Sequence, residues 1–251
     1  YWEGKTTSEL ATSYMAPGTL LAIEHNIFTP GNYFYNGVGH VTVDYGKILK
    51  NGFQGLVAEA KEALADCKPS DADYARRHSF LEAVIISCEA AVCYARRYAA
   101  LARELAQKCA DPVRRGELLQ IADNCSVVPE RGAGSFYQAC QSFWFIQMLL
   151  QMESSGHSIS PGRFDQYMYP YFKADMDKGT LTLDKAQELM DCIWVKLNDL
   201  NKARDHASAE GFAGYSLFQN LIAGGQTPDG VDATNDLSFM CIEACMHVML
   251  P

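Results

Sequence analysis

Three clusters in this chain carry residue types suited to chemistry: the loop from Asn32 to His40, the adjacent pair His157-Ser158, and the segment around Tyr215. His157 and Ser158 follow a bulky amphipathic stretch. They lie in a turn-prone loop bounded by Gly156 and by Pro161-Gly162, where polar groups can face a ligand. Imidazole titrates near neutrality, so His40 or His157 could donate to a substrate hydroxyl or give a proton to a leaving oxygen. The alternative also stands at this level, that His157 only ties down its own loop by hydrogen bonds. His25 at a helix end, His78 in a charged helical stretch and His206 in a polar loop read as structural.

Other catalytic templates do not occur. Gly37-Val38-Gly39 and Gly224-Gly225 match neither a Walker loop nor the dinucleotide fingerprint, and there is no Gly-x-Ser-x-Gly elbow or His-Glu-x-x-His helix. The nine cysteines include no Cys-x-x-Cys pair, and most fall on apolar stripes of helix-like segments. Their use as small core hydrophobes fits a reducing cytosol. Cys241 and Cys245, with His247 nearby, have a spacing that could ligate a metal, but core packing is the reading preferred.

The elements that must position these clusters are mostly helices. At 251 residues, 48% hydrophobic and 20% charged, the chain has the composition of a globular domain. Short helices broken at Pro17-Gly18 are expected from Ser8 to Asn26, then a loop or extended entry from Phe28 to Gly39. Apolar spacing predicts a helix over Asp44 to Cys67 capped by Asp44. A long one over Asp71 to Lys108 would bury Leu81, Val84, Ile85, Cys88, Val92, Ala95, Ala99 and Ala102. Arg76, Arg77, Arg96 and Arg97 belong on its solvated side. Asp111-Pro112 opens a further helix to about residue 123. Ser135 to Met152, apolar on nearly every side, should run deep inside and deliver the His157 loop. Helices are expected over Phe164 to Asp177, Thr182 to Leu200 and Thr234 to Leu250, and a buried strand over Tyr215 to Ala223.

A net charge of -9 and only isolated arginine pairs argue against nucleic acid as a partner. No apolar run approaches the roughly 18 residues of a membrane span, and the first residues lack a signal-peptide pattern, which argues against export. Large apolar residues at both ends, Tyr1-Trp2 and Val248-Met249-Leu250-Pro251, lead us to expect an internal piece of a longer polypeptide.

Several motifs taken together resemble the glycyl radical enzymes related to pyruvate formate-lyase. They are Gly39-His40-Val41 with Asp44-Tyr45, Glu153 through Ser158, Gly162-Arg163-Phe164-Asp165-Gln166-Tyr167, and Trp194 through Asn198, and the resemblance runs over essentially the whole chain. It implies an α/β fold: a helix-rich fragment, residues 1–251, of a pyruvate formate-lyase-like domain whose complete form is a ten-stranded α/β barrel.

The sequence is most similar to the B12-independent glycerol and propane-1,2-diol dehydratase branch. That resemblance implies a diol or polyol substrate held by Asn32, His157, Ser158 and Tyr215, with His40 as general acid toward the departing hydroxyl. The hydroxyproline dehydratase branch resembles it around the first histidine but carries an acidic residue where His157 stands, and a neutral polyol suits His157 better. Choline lyases, arylacetate decarboxylases and formate acetyltransferase-like enzymes share the frame. The family's thiyl cysteine sits in a Cys-Val-Glu type loop and its radical glycine in an Arg-Val-x-Gly-Tyr type loop. Neither occurs here, so the glycyl radical would lie outside this chain, and none of its cysteines is assigned that role. No metal and no B12 are expected. The resemblance further implies an activating enzyme using S-adenosylmethionine and an iron-sulfur cluster, a homodimer when complete, and a cytoplasmic or microcompartment setting. The competing class is a non-catalytic helical interaction module, in which the polar residues around His157 would face solvent uncoordinated.

Overall fold

The computed structural model describes residues 3–30, 40–153, 158–200, 206–211 and 219–249. Two short helices come first, α1 (Thr7–Ser13) and α2 (Pro17–Glu24). The start of α1 is fixed by a capping box: the Thr6 hydroxyl accepts from the Glu9 amide, and the Glu9 carboxylate accepts from the Thr6 amide at 3.1 Å. His25 caps the end of α2, as its position in the sequence suggested.

After the two-residue strand β1 (Val41–Thr42) comes α3 (Tyr45–Ala65), whose Asp44 side chain accepts from the Lys47 amide. The sequence predicts one continuous helix here, but α3 is broken at Gly52, with φ 67° and ψ 176°. A loop docks into the break. Phe53 and Gln54 amides donate to the carbonyls of Pro129 and Glu130 at 2.8 and 2.9 Å, and Ala133 donates to Leu49 at 2.8 Å. The polar backbone released by the break is thus satisfied from outside the helix. A Cβ at Gly52 would lie 2.2 Å from the Glu130 carbonyl oxygen, so only glycine fits.

The 35-residue α4 (Tyr74–Lys108) pairs with α5 (Pro112–Val127). Its buried stripe is Cys88, Ala91, Ala95, Ala99, Ala102 and Ala106, spaced by three or four residues, against Leu118, Ala122 and Cys125 of α5. Leu81, Val84, Ile85 and Val92, expected on that stripe, are only half-buried, because the small alanines make the close approach. Arg76, Arg77, Arg96 and Arg97 are exposed as expected. Arg96 reaches across to Glu130, donating from Nη2 at 2.8 Å and Nε at 3.1 Å. By length and composition α4 is long and apolar enough to cross a bilayer, although Glu82 and Glu89 interrupt its apolar residues, so it carries no continuous apolar run of that length. Asp111 caps α5 and Pro112 takes its first position, but the helix runs four residues beyond the expected end.

The main core surrounds α6 (Phe136–Glu153). Phe136, Cys140, Phe143 and Ile146 pack against Tyr45 and Leu49 of α3 and Phe164, Met168 and Phe172 of α7 (Phe164–Asp177). Met190 and Ile193 of α8 (Leu183–Asn198) and Leu237 and Cys241 of α10 (Asp236–Val248) close the same core. Between α8 and α10 lies the short α9 (His206–Gly211), so His206 opens a helix rather than lying in a loop. Cys88, Cys125, Cys140 and Cys241 are buried, whereas Cys93, Cys192 and Cys245 are exposed, which narrows the expected core role to part of the set.

The described strands are few. β1 pairs in parallel with β2 (Ile159–Ser160), Val41 opposite Ile159 and Thr42 opposite Ser160. On the other side of this strand Gly162 forms a parallel bridge to Leu221. The expected strand over Tyr215 to Ala223 is corrected within its described part: it makes that single bridge, and Ile222 is 52% exposed.

Candidate functional site

His40 and Ser158 immediately precede β1 and β2, so parallel pairing brings both to the same end of the strand pair. Val41 donates its amide to the Ser158 carbonyl at 3.1 Å, and the Ser158 hydroxyl lies 3.3 Å from His40 Nε2. Two of the five site residues expected from the sequence therefore meet across 118 positions. Asn32, His157 and Tyr215 lie outside the described residues. Ser158 is fully buried and adopts φ 62°, a left-handed conformation uncommon outside glycine. Strain of this kind persists where surrounding contacts over-determine the backbone; here strand pairing and the His40 contact hold it. An imidazole nitrogen and a hydroxyl at this separation can share one substrate hydroxyl, each as donor or acceptor.

Below this junction lies a buried set of amides that the sequence reading missed. Gln147, fully buried in α6, accepts from the Tyr45 hydroxyl. Its Nε2 donates to the Ile159 carbonyl at 2.8 Å and to Gln219 Oε1 at 2.5 Å. Gln151 Nε2 also donates to Gln219 Oε1, at 3.1 Å, and Gln219 donates to the Leu197 carbonyl at 2.9 Å. Burial raises the Tyr45 pKa above its ordinary value, so its phenol keeps the proton it donates. A signal was present in the sequence: Gln147 and Gln151 lie one helical turn apart among the apolar residues of the Phe143 to Met152 stretch, and amides buried there require partners.

The Gly162 to Tyr167 run, the most specific motif of the sequence, is built into the support of the site. Gly162 has φ 65°, and a Cβ there would meet Thr42 of β1 at 2.6 Å. Arg163 donates to the carbonyls of Gln226 and Gly224, each at 3.0 Å. Phe164 fills the main core, and Gln166 donates to the Ala233 carbonyl at 2.8 Å. Asp165, fully buried, accepts from the Gly224 amide at 2.6 Å and from the Ser238 hydroxyl. Tyr167 donates to the Pro161 carbonyl at 3.0 Å and stacks on Tyr45. Burial, with smaller contributions from Tyr45, Cys241 and Asp165, holds the Tyr167 pKa well above its usual value. The motif thus ties β2 to the segment from Gly224 to Ser238.

Among the described residues no group of three or more His, Cys, Asp or Glu side chains is placed to hold a metal ion. Cys241 lies in the core, Cys245 accepts from Trp194 Nε1 at 3.0 Å, and His247 Nδ1 contacts Asp191 at 3.0 Å. His78 pairs with Glu82 at 3.2 Å on its own helix.

Known proteins resemble this chain in sequence and fold over its whole length. The chain is 66% identical to a solved structure addressing 1,2-propanediol dehydration in Roseburia inulinivorans, with a TM-score of 0.90 over 100% of this chain and 30% of that one. It is 56% identical to the glycerol-bound B12-independent glycerol dehydratase of Clostridium butyricum, with a TM-score of 0.88 over 100% of this chain and 32% of that one. The isethionate sulfite-lyase of Desulfovibrio desulfuricans is 40% identical over 97% of this chain and 31% of its own length. The chain therefore spans about a third of the length of these relatives. The model of the pyruvate formate lyase-like family matches residues 1–251, and the chain belongs to that family of glycyl radical enzymes.

Proposed function

We propose that the complete protein eliminates water from a small vicinal diol or polyol, and that this chain supplies groups that hold the substrate and protonate the departing hydroxyl. The observation that carries this reading is the meeting of His40 Nε2 and Ser158 Oγ at one end of a parallel strand pair. The high identity to structures concerned with propanediol and glycerol dehydration supports the diol class over the sulfonate class. A buried, coordinated Ser158 also runs against the interaction-module reading, which requires solvent-facing polar residues there.

In the complete enzyme, a family cysteine and a radical glycine outside these residues would supply abstraction of the hydrogen on the carbon bearing one hydroxyl. His40 would then give a proton to the neighbouring hydroxyl as the carbon–oxygen bond breaks and water leaves. The remaining hydroxyl gives up its proton to become the carbonyl, the unpaired electron passes to the carbon that lost its oxygen, and that carbon takes back a hydrogen atom from the cysteine thiol to complete the aldehyde. Ser158, with Asn32, His157 and Tyr215, fixes the diol so that a single hydrogen is presented. The reading carries with it the ten-stranded barrel of the complete domain, an activating enzyme using S-adenosylmethionine, and a homodimer.

The test is anaerobic turnover by the activated full-length protein. Aldehyde from propane-1,2-diol or glycerol is expected, and sulfite from isethionate without diol turnover would overturn the reading. His40→Gln should lower kcat by about 10²-fold or more with much less change in KM, as for loss of a general acid.

A further inference from the structure

The three segments that bear the site residues are separate in sequence, yet one side chain touches all three supports. Tyr45, five residues after His40, donates to Gln147 Oε1. The Ile159 carbonyl, next to Ser158, accepts from Gln147 Nε2 at 2.8 Å. Gln219, four residues after Tyr215, accepts from the same nitrogen at 2.5 Å. Gln147 is fully buried, so water cannot replace these partners without opening the core. An amide is the side chain that fits: it presents an acceptor to the phenol and two N–H groups to the two oxygens. Leucine would satisfy none of the three, and a carboxylate would set a negative charge against two acceptor oxygens.

We propose that Gln147 is a positioning residue for the diol site, fixing the register of β1, β2 and the segment following Tyr215 so that their polar groups converge. It acts through Ser158 and His40 and does not touch substrate. The proposal rests on the dehydratase reading for the choice of substrate alone.

The experiment compares full-length wild type with Gln147→Leu, Gln147→Glu and Tyr45→Phe, each checked for folding by its melting temperature. In activated protein, Gln147→Leu should lower kcat between about tenfold and about a hundredfold, the scale of a small misplacement of reacting groups, with KM changed much less. Tyr45→Phe, which keeps both amide donors, should lose less. In Gln147→Glu, the buried carboxyl keeps one donor while protonated, so its kcat should fall with rising pH more steeply than wild type.

A second arm needs no turnover. In the crystal structure of unactivated Gln147→Glu the separation of His40 Nε2 and Ser158 Oγ should open from 3.3 Å to beyond about 4 Å, outside hydrogen-bond range. A lower melting temperature with kcat, KM and that separation unchanged would overturn the proposal and leave Gln147 as a core fastening. If the wild type processes another substrate and no diol, the dehydratase reading fails. The separation, and the kcat split on the accepted substrate, still decide the role of Gln147.

Discussion

The seam between α4 and α5 and the ground around Gln147 both bury helical side chains, but they are specified in different ways. In the hairpin the contact is a repeat: Cys88, Ala91, Ala95, Ala99, Ala102 and Ala106 each offer a small surface. Many ion pairs there, such as Lys108 with Glu104 at 2.5 Å, lie on the exposed side. Around Gln147 and Asp165 the contacts are few and directional, linking separate segments of the chain, with Gln151 adding a second donor to Gln219 Oε1. A repeated apolar contact loses stability in increments when altered. A buried polar contact fails as a unit, because the partner left behind keeps its desolvation cost.

The largest effect should come from breaking the second kind of region. Asp165→Ala strands the Gly224 amide and the Ser238 hydroxyl inside the core, and should destabilise the complete protein by about 4 kcal/mol in chemical denaturation. A loss under about 1 kcal/mol would mean that the two regions fail alike. Ala95→Leu enlarges one position of the repeat and should cost about 2 kcal/mol by overpacking, without affecting substrate affinity in the activated enzyme.

A third test separates the regions by pH. Burial pushes the Cys125 thiol of the hairpin up to about 11 and the Cys241 thiol of the main core up to about 12, the latter with help from Asp165. Both start from a reference value of 9.0 when unfolded, so the unfolded chain releases protons first. The stability these thiols contribute is complete below pH 9.0 and is lost as pH rises through the folded values. Denaturation midpoints should therefore fall above pH 9.0, with Cys125→Ala and Cys241→Ala each flattening the decline. The smallest effect belongs to the exposed ion pairs: Lys108→Ala should change stability by less than about 0.5 kcal/mol.

The same contrast explains what the sequence made legible. The helices announce themselves through repetition: the spacing of apolar residues and the caps at Asp44, Asp111 and Thr182 place most of them within a few residues. The break at Gly52 escaped because helical periodicity continues on both sides of it, while its cause is a loop some eighty residues later, at Pro129 to Ala133. His40 and Ser158 were found through their residue types and the family motifs around them. Gln147 and Gln219 were not, because a glutamine in a list of apolar neighbours reads as an exception until its partners are seen. Asp165 was noticed as part of a motif, but its work, holding the Gly224 backbone and Ser238, depends on residues that no local pattern connects to it.

The pairing of Val41 with the Ser158 carbonyl also sets an order of events during folding. Hairpins such as α4–α5 can close early, since their contacts are local, whereas β1 has no β2 to pair with until the chain has reached Ile159. Throughout that interval the backbone of β1 is an unpaired edge, open to the wrong strand or to another copy of the chain. His40 and Ser158 come together only when this long loop closes, so the appearance of their contact would report completion of the surrounding fold.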